Sequence, residues 1–305
     1  MSFAPHAASL RQLQYAVAVA DTRSFRRAAQ QCGVSQPSLS AQLAQLEGAL
    51  GVRLFERDRR RVLPTPAGKD LIERARRVLI DADDLVDAAR RLGDPLAGPL
   101  SIGVIPTISP YLLPAAAPAI RRAHPRLTVR WVEDKTEALA RELHAGRLDA
   151  ALLALEADLG GPLQREVIGR DRFVLAAPRK HPLARPSRPA NLGELRGAHL
   201  LLLDDGHCLR DQALAVCAGA RTEELAFRAT SLPTLAQMVS AGAGVTLLPR
   251  MAVATESRRA HLAVRAIADD RAFRTLALVW RPTTPSGPAL RQLATTIRAS
   301  YEKMV

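Results

Sequence analysis

The stretch "SFRRAAQQCGVSQPSLSAQLAQLEGALGVRLFER", residues 24–57, decides the fold of the N-terminal part of the chain. Ser24 predicts the start of a short helix, because serine side chains accept the free amides of a first helical turn. The Cys-Gly-Val sequence at 32–34 predicts a tight turn. Ser35 and Pro37 then predict the start of a longer helix. Two short helices joined by a glycine turn form a helix-turn-helix.

The second helix and the segment after it carry side chains suited to DNA. Leucines on one side predict a buried stripe, and short polar side chains on the other side reach base edges in a major groove. The run "VRLFERDRRRVLPT" predicts a winged hairpin whose arginines meet phosphates. The expected DNA-binding residues are Ser35, Gln36, Pro37, Ser38, Ser40, Gln42, Arg57, Arg59, Arg60 and Arg61. The alternative is an ordinary helical bundle with a solvated arginine run.

Residues 24–57 resemble the DNA-binding domain of LysR-type transcriptional regulators. The similarity includes the Ala-Ala pair, the Ser-Gln-Pro-Ser-Leu-Ser run and the Leu-Phe-Glu-Arg ending. The resemblance implies a winged helix-turn-helix domain over residues 1–64 that binds double-stranded promoter DNA, with RNA polymerase as a further partner.

The next segment, "TPAGKDLIERARRVLIDADDLVDAARRL", predicts one long helix. Its apolar residues alternate steps of four and three, which is a heptad seam that needs a partner helix. They are Leu71, Ala75, Val78, Ala82, Leu85, Ala89 and Leu92. We therefore expect residues 65–93 to be a dimerising linker helix, and the resemblance implies the same pairing, with a homotetramer built from dimers. The alternative is a single helix packed on its own domain.

From Leu100 onward, apolar strand-like runs alternate with helical patterns. This alternation favours a mainly parallel sheet covered by helices on both faces. Two successive sets predict a two-lobed α/β sensor domain resembling periplasmic binding proteins, over residues 94–305. The resemblance implies that lobe I covers about 98–168 and 275–305, and lobe II about 169–274. The whole chain is then α+β.

The composition restricts the partners and the compartment. A formal charge of +13 and a pI near 10.9 suit a polyanion such as DNA, although an arginine-rich proteome gives the same charge. The start does not resemble a signal peptide, and no apolar run reaches membrane-helix length. We expect a cytoplasmic protein with reduced thiols. No cysteine and histidine cluster has zinc spacing, so no metal and no cofactor are expected.

The stretch "DDGHCLRDQALAVC", residues 204–217, holds two of the three cysteines. We predict a helix that begins near Gly206 and is capped by Asp204 or Asp205; with Asp205 as the cap, Cys208 is at its third position. The positive end of a helix favours a thiolate, so a lowered pKa is predicted for Cys208. Cys217 lies beside an apolar stripe and is expected to be inert and partly buried.

The spacing of these two cysteines predicts a redox switch. Nine helical residues rise by roughly 13 Å, whereas a disulfide tolerates about 7 Å between Cα atoms. A bond between Cys208 and Cys217 therefore requires this helix to break. An oxidant would convert Cys208 to a sulfenic acid, which Cys217 then attacks. The alternative is two unrelated buried cysteines.

Two segments, "LLLDDGHCLRDQALAVC" and "GPLSIGVIPTISPYLLP", are similar to the hydrogen-peroxide-sensing branch of LysR-type regulators, the OxyR type. The resemblance implies that Cys208 is the peroxidatic cysteine, Cys217 the resolving one, and antioxidant genes the targets. It also implies a peroxide site that contains Thr107, Thr136, His207, Arg210, Asp211 and Arg274.

Two other functions fit parts of the sequence. A LysR-type regulator can instead respond to a small metabolite bound between its lobes. A thiol peroxidase, which is an enzyme, would use the same cysteines but has no use for residues 24–61. We therefore expect a regulator and not an enzyme.

Overall fold

The computed structural model divides the chain into two units, residues 1–90 and residues 91–305. The structure describes residues 7–57, 62–91, 96–185, 188–220 and 222–305. Arg59, Arg60 and Arg61 of the predicted wing and Leu92 of the predicted seam lie outside these residues. So do the side chains of Arg57 and Ala89.

The N-terminal unit begins with three helices, α1 (Leu10–Thr22), α2 (Phe25–Gln31) and α3 (Gln36–Leu50). The Ser24 hydroxyl accepts the N–H of Arg27, and the Ser35 hydroxyl accepts the N–H of Ser38, each at 3.3 Å. Gly51 ends α3 in the left-handed region, with a φ of 70°. The predicted helix-turn-helix and both serine caps are confirmed.

The core of this unit forms on one face of α3. Leu39, Leu43 and Leu46 are buried, which confirms the predicted stripe. Strands β1 (Phe55–Arg57) and β2 (Val62–Pro64) pair antiparallel and form the predicted hairpin. The carboxylate of Glu47 accepts the N–H of Leu54 at 2.7 Å, which ties α3 to the start of the hairpin.

Helix α4 (Pro66–Arg91) begins where predicted and passes from buried to exposed along its apolar face. The Thr65 hydroxyl caps it by accepting the N–H of Gly68 at 2.8 Å. Near its start, Ile72 packs into the core of the N-terminal unit, and Ala75 is buried. Further along, apolar side chains lie in solvent: Val78 and Leu85 of the predicted seam and the nearby Val86 are exposed by 46%, 72% and 49%.

The C-terminal unit contains nine strands and six helices among its described residues. In chain order they are β3 (Gly98–Val104), α5 (Ser109–Ala123), β4 (Leu127–Glu133), α6 (Thr136–His144), β5 (Ala150–Ala154), β6 (Gln164–Pro178), β7 (His199–Leu203), α7 (Cys208–Cys217), β8 (Glu223–Ala229), α8 (Leu232–Ser240), β9 (Thr246–Pro249), α9 (Arg250–Ala260), β10 (Leu262–Ala266), β11 (Phe273–Trp280) and α10 (Gly287–Glu302).

Two long strands join the two lobes of this unit. Strands β6 and β11 pair antiparallel as far as Arg172, and from Phe173 onward β6 pairs with β9 and β10 instead. Lobe I is built on β3, β4, β5 and β11, and lobe II on β7 to β10 with the second half of β6. Because both lobes share β6, a side chain on it can contact residues of either lobe.

The prediction of a mainly parallel sheet is wrong in detail. Parallel pairing joins β3 to β4 and β5, and β7 to β8, whereas β6, β9, β10 and β11 pair antiparallel. An apolar run indicates a buried strand but carries no information about its direction. Helix α9 and strand β10 were not predicted, because their sequences mix arginines with small residues.

The last helix, α10, returns to lobe I and packs against α5 and β6. The Tyr301 ring lies directly on Gly169 of β6, where a Cβ would overlap it. The Tyr301 hydroxyl donates to the carbonyl oxygen of Arg170 at 2.9 Å. The chain end therefore anchors the strand that both lobes share.

Gly68 tests the packing of α4 against the wing. A Cβ at Gly68 would overlap the carbonyl oxygen of Leu54, which is backbone and cannot move aside cheaply. We expect Gly68→Ala to destabilise the N-terminal unit by about 1–3 kcal/mol. Hydrogen exchange of the α1–α3 amides in the full chain, followed by mass spectrometry, measures this.

The matched control is Gly48→Ala on α3, where no atom lies within 4 Å of the added Cβ. This variant should keep or slow exchange, because alanine favours helix over glycine by about 1 kcal/mol. Equal exchange in both variants would contradict the packing described here.

Candidate functional site

Cys208 is the first residue of α7 and Cys217 is the last, so one helix holds both thiols. The predicted cap at Asp205 and the third helical position for Cys208 are wrong. Gly206 takes a φ of +83°, which turns the chain away from helix, and His207 occupies the cap position without a side-chain cap. Nine residues along a helix separate the two Cα atoms by roughly 13 Å. Both cysteines are free.

Cys208 is buried, and this decides its acidity. The residue is 8% exposed, and burial raises the pKa of its thiol. The nearby Thr136 hydroxyl and the charge of Arg274 lower that pKa, while Glu156 and Asp211 raise it further. The predicted lowering is therefore wrong in direction, because desolvation outweighs the helix terminus and the nearby cation.

Cys217 is more deeply buried than was predicted. It is 3% exposed, and burial raises the pKa of its thiol to about 11. A thiol with this pKa carries little thiolate at neutral pH, so Cys217 is inert while α7 is intact.

Two threonines of lobe I approach Cys208. Thr107 follows β3 and is 3% exposed, and Thr136 begins α6 and is 5% exposed. The Thr136 hydroxyl has no hydrogen-bond partner among the described residues, and it lies close enough to the Cys208 thiol to lower its pKa. A polar group left in this state is suited to a small polar ligand.

Arg274 is fully buried and positions Thr107. It lies on β11 opposite Asp171 of β6, and Asp171 accepts its Nε and Nη2 at 3.1 and 3.0 Å. Its Nη1 donates to the Thr107 hydroxyl at 2.7 Å, and its Nη2 donates to the Thr107 carbonyl at 3.0 Å. Sequence reasoning missed Asp171. The only local signal is its spacing, since Asp171 lies two residues before Phe173 and therefore shares the buried face of β6.

The other expected site residues lie around the start of α7. His207 is 5% exposed, and burial together with the charge of Lys135 lowers the pKa of its imidazole. Arg210 instead forms ion pairs with Asp205 at 3.1 Å and Glu224 at 2.7 Å, both in lobe II. Asp211 is exposed and lines a cleft. Of the expected residues, Thr107, Thr136, His207 and Cys208 line one small pocket.

That pocket is too narrow for a water molecule and lies between lobe I and the start of α7. A larger cleft of about 860 Å³ lies on another side of Cys208 and of Thr136. Acidic residues line it, and they are Glu137, Glu156, Asp158, Asp211 and Asp269. Cys208 thus lies between a tight polar pocket and an open acidic cleft.

The α3 surface presents only some of the predicted DNA contacts freely. Ser35, Gln36, Pro37 and Ser38 are exposed. Ser40 and Gln42 are half-buried, and the Gln42 side-chain oxygen accepts a hydrogen bond from Gln12 at 3.2 Å. The helix start is therefore the part open to a nucleic acid.

The described residues contain no cluster of histidine, cysteine and carboxylate side chains that could hold a metal ion. Among the helices that the structure describes, none combines the length and the apolar character that a membrane span needs.

Comparison with known proteins places the chain in a family. Residues 10–69 match the bacterial regulatory helix-turn-helix model of the lysR family, and residues 93–302 match the LysR substrate binding domain. The hydrogen peroxide-inducible genes activator of Pectobacterium carotovorum subsp. carotovorum is 46% identical over 296 residues, covering 95% of this chain and 96% of that protein.

Two solved structures are similar over nearly the whole chain. A full-length OxyR variant from Pseudomonas aeruginosa is 34% identical with a TM-score of 0.78, covering 96% of each chain. An H2O2-bound OxyR mutant from Corynebacterium glutamicum is 34% identical with a TM-score of 0.67, covering 98% of this chain and 94% of that one. The chain belongs to the lysR family of bacterial regulatory helix-turn-helix proteins, on its OxyR branch.

Proposed function

We propose that the protein is a DNA-binding transcriptional regulator that senses hydrogen peroxide through a reversible Cys208–Cys217 disulfide and switches antioxidant genes. One observation carries this proposal. Cys208 starts a helix beside a narrow polar pocket, and its only partner on that helix lies at the opposite end. The bond therefore requires refolding, which is a change that DNA-bound subunits can transmit.

The chemistry needs only the two cysteines and peroxide. The Cys208 thiolate attacks one peroxide oxygen, the O–O bond breaks, and the departing hydroxide takes up a proton to become water. Cys208 is oxidised by two electrons to a sulfenic acid. The Cys217 thiolate then attacks the Cys208 sulfur, the S–O bond breaks, and a second water leaves. An external thiol reductant restores both thiols.

The residues of the proposed peroxide site form two groups: those that contact peroxide or line its pocket, and those that act through a neighbouring residue. Thr107 and Thr136 contact peroxide from lobe I, and Arg274 holds the Thr107 hydroxyl in place. His207 completes the pocket wall. Arg210 and Asp211 act indirectly, since Arg210 secures the loop before α7 through Asp205, and Asp211 changes the charge around Cys208.

The assembly follows from α4. Its exposed apolar residues, Val78, Leu85 and Val86, would pair with the same residues of a second copy. Such a dimer places two α3 helices on one DNA duplex, and paired dimers form a homotetramer.

The other partners are DNA and RNA polymerase. The wing arginines contact DNA phosphates; they are Arg57, Arg59, Arg60 and Arg61. RNA polymerase is the further partner through which DNA binding alters transcription. The protein needs no enzymatic turnover and no cofactor for this function.

The cleft of about 860 Å³ favours a second candidate function, a regulator that binds a small metabolite between the lobes. The two candidates differ in their dependence on cysteine. A metabolite-responsive regulator keeps its response in Cys208→Ser, whereas a peroxide sensor loses it. Calorimetry with candidate ligands measures binding in the cleft directly.

The disulfide switch is tested by DNA footprints and peptide mapping. One equivalent of peroxide should produce a Cys208–Cys217 bridge and a changed footprint in the native chain, and no change in Cys208→Ser. Cys217→Ser should retain a sulfenic acid at Cys208. The matched control is Cys32→Ser, which changes the third cysteine and should keep the full response. Identical footprints in reduced, oxidised and Cys208→Ser protein would refute the switch.

The acidity of Cys208 gives a pH test. Its pKa is raised by burial, so the thiolate, and with it the rate of oxidation, should increase as pH rises above the ordinary thiol range. Thr136→Val removes the hydroxyl that lowers this pKa, so the titration should move to still higher pH. Ultraviolet thiolate absorbance, with Cys208→Ser subtracted, measures the titration. Thr295→Val on exposed α10 is the control, and a Thr136→Val titration at unchanged or lower pH would contradict the role assigned to Thr136.

The linker helix gives a test of assembly. Leu85→Glu places a charge within the proposed seam, so we expect sedimentation to show dissociation of the dimer with at least about tenfold weaker association. Lys69→Glu, near the start of α4 on the other side of the helix, should keep the native mass. A dimer of native strength in Leu85→Glu would assign the interface to another surface.

A further inference from the structure

Lys135 bridges the two lobes at the edge of the Cys208 pocket. It precedes α6 in lobe I, and its Nζ donates to the carbonyl oxygen of Asp205 at 2.7 Å. Asp205 belongs to the loop of lobe II that leads into α7. One hydrogen bond therefore connects lobe I to the segment that must move when Cys208 and Cys217 join.

The carbon stem of Lys135 covers that loop. A Cβ on Gly206 would lie 3.2 Å from Cδ of Lys135 and 3.5 Å from its Nζ, so the lysine packs on the bare α-carbon. Lys135 and Gly206 line the pocket together with Thr107, Thr136 and Cys208. The lysine side chain is thus a wall of the pocket as well as a bridge.

The pocket is closed as it stands. It does not admit a water molecule, and hydrogen peroxide is larger, so a wall must yield before peroxide can occupy the space between Thr107, Thr136 and Cys208. Thr107 is fixed by two hydrogen bonds from buried Arg274, and Thr136 begins a helix. Lys135 is the half-buried wall, and one hydrogen bond to a backbone carbonyl holds its ammonium in place. It is the wall that moves most easily.

We propose that Lys135 is the specificity-determining residue of the peroxide pocket. A small displacement of its side chain admits hydrogen peroxide, whereas an alkyl hydroperoxide must push away both the stem and the Asp205–Gly206 loop. The reaction is the same for both oxidants: the thiolate attacks the terminal oxygen, the O–O bond breaks, and the alkoxide leaves as the alcohol after taking a proton. This inference rests on the proposed peroxide-sensing function.

The experiment compares two oxidants on the full-length reduced protein. Second-order rates of Cys208 oxidation by hydrogen peroxide and by cumene hydroperoxide are measured by quenched alkylation and peptide mapping. The variants are Lys135→Ala, which removes the wall, and Lys135→Met, which keeps a carbon stem without the ammonium. Lys180→Ala, on an exposed loop of lobe II, is the matched control.

We expect Lys135→Ala to raise the cumene hydroperoxide rate by about tenfold, the discrimination that a few methylene groups give, with little change in the hydrogen peroxide rate. The cumene hydroperoxide rate of Lys135→Met should lie between those of Lys135→Ala and the native chain, and both rates of Lys180→Ala should equal those of the native chain. The proposal would be overturned if the ratio of the two rates were unchanged in Lys135→Ala. It would also be overturned if cumene hydroperoxide oxidised Lys135→Met faster than Lys135→Ala.

Failure of the proposed function has a different signature. If Cys208 of the native chain reacts with hydrogen peroxide no faster than a free cysteine does, peroxide sensing itself is refuted. Access is then still measured without peroxide, by the ratio of Cys208 labelling with a bulky maleimide to labelling with iodoacetamide. That ratio should rise in Lys135→Ala and stay constant in Lys180→Ala. Circular dichroism of each variant verifies that α7 remains folded.

Discussion

Helix α7 imposes the constraint on which the rest of the site depends. While it is intact, its backbone holds Cys208 and Cys217 roughly 13 Å apart, and Leu209 and Ala213 bury one face of it in lobe II. A disulfide cannot form across that distance, so the reduced fold and the bridged fold exclude each other. The helix has only ten residues, and short elements of this size unfold locally at lower cost than a whole domain.

The site is assembled from both lobes and from the strands that join them. Lobe II supplies Cys208, lobe I supplies Thr107 and Thr136, and β6 with β11 supplies Asp171 and Arg274. Asp171 also accepts the N–H of Met251 at the start of α9, so the same carboxylate holds a second element of lobe II. Loss of α7 therefore removes one side of a contact surface whose other side belongs to lobe I. In the proposed switch, this contact surface is the route by which oxidation of Cys208 would change the packing of subunits.

Features that depend on neighbouring residues could be predicted from the sequence, and features that depend on contacts between distant segments could not. Ser24, Ser35 and the α3 leucines specify their helices through neighbours a few residues away, so the helix-turn-helix was predicted correctly. The shared helix of Cys208 and Cys217 was predicted for the same reason. The first-turn position of Cys208 depends on the left-handed Gly206, and its raised pKa depends on burial by distant segments. Asp171 pairs with Arg274 across 103 positions of sequence, which no local pattern encodes.

A buried thiol with a raised pKa needs another source of reactivity. Few Cys208 side chains are thiolate at neutral pH, so the proposed speed toward peroxide rests on what the pocket does to the leaving oxygen. The Thr107 hydroxyl accepts from Arg274, which leaves its own hydrogen to be donated into the pocket. The Thr136 hydroxyl, which lowers the pKa of the thiol, is a second donor close to Cys208 and has no other hydrogen-bond partner among the described residues. Donors fixed in this way stabilise charge on a departing hydroxide without first having to reorient. The same raised pKa keeps Cys208 unreactive toward electrophiles that the two threonines cannot assist. Burial therefore lowers the fraction of thiolate and, for the same reason, makes Cys208 selective for the oxidant that the threonines do assist.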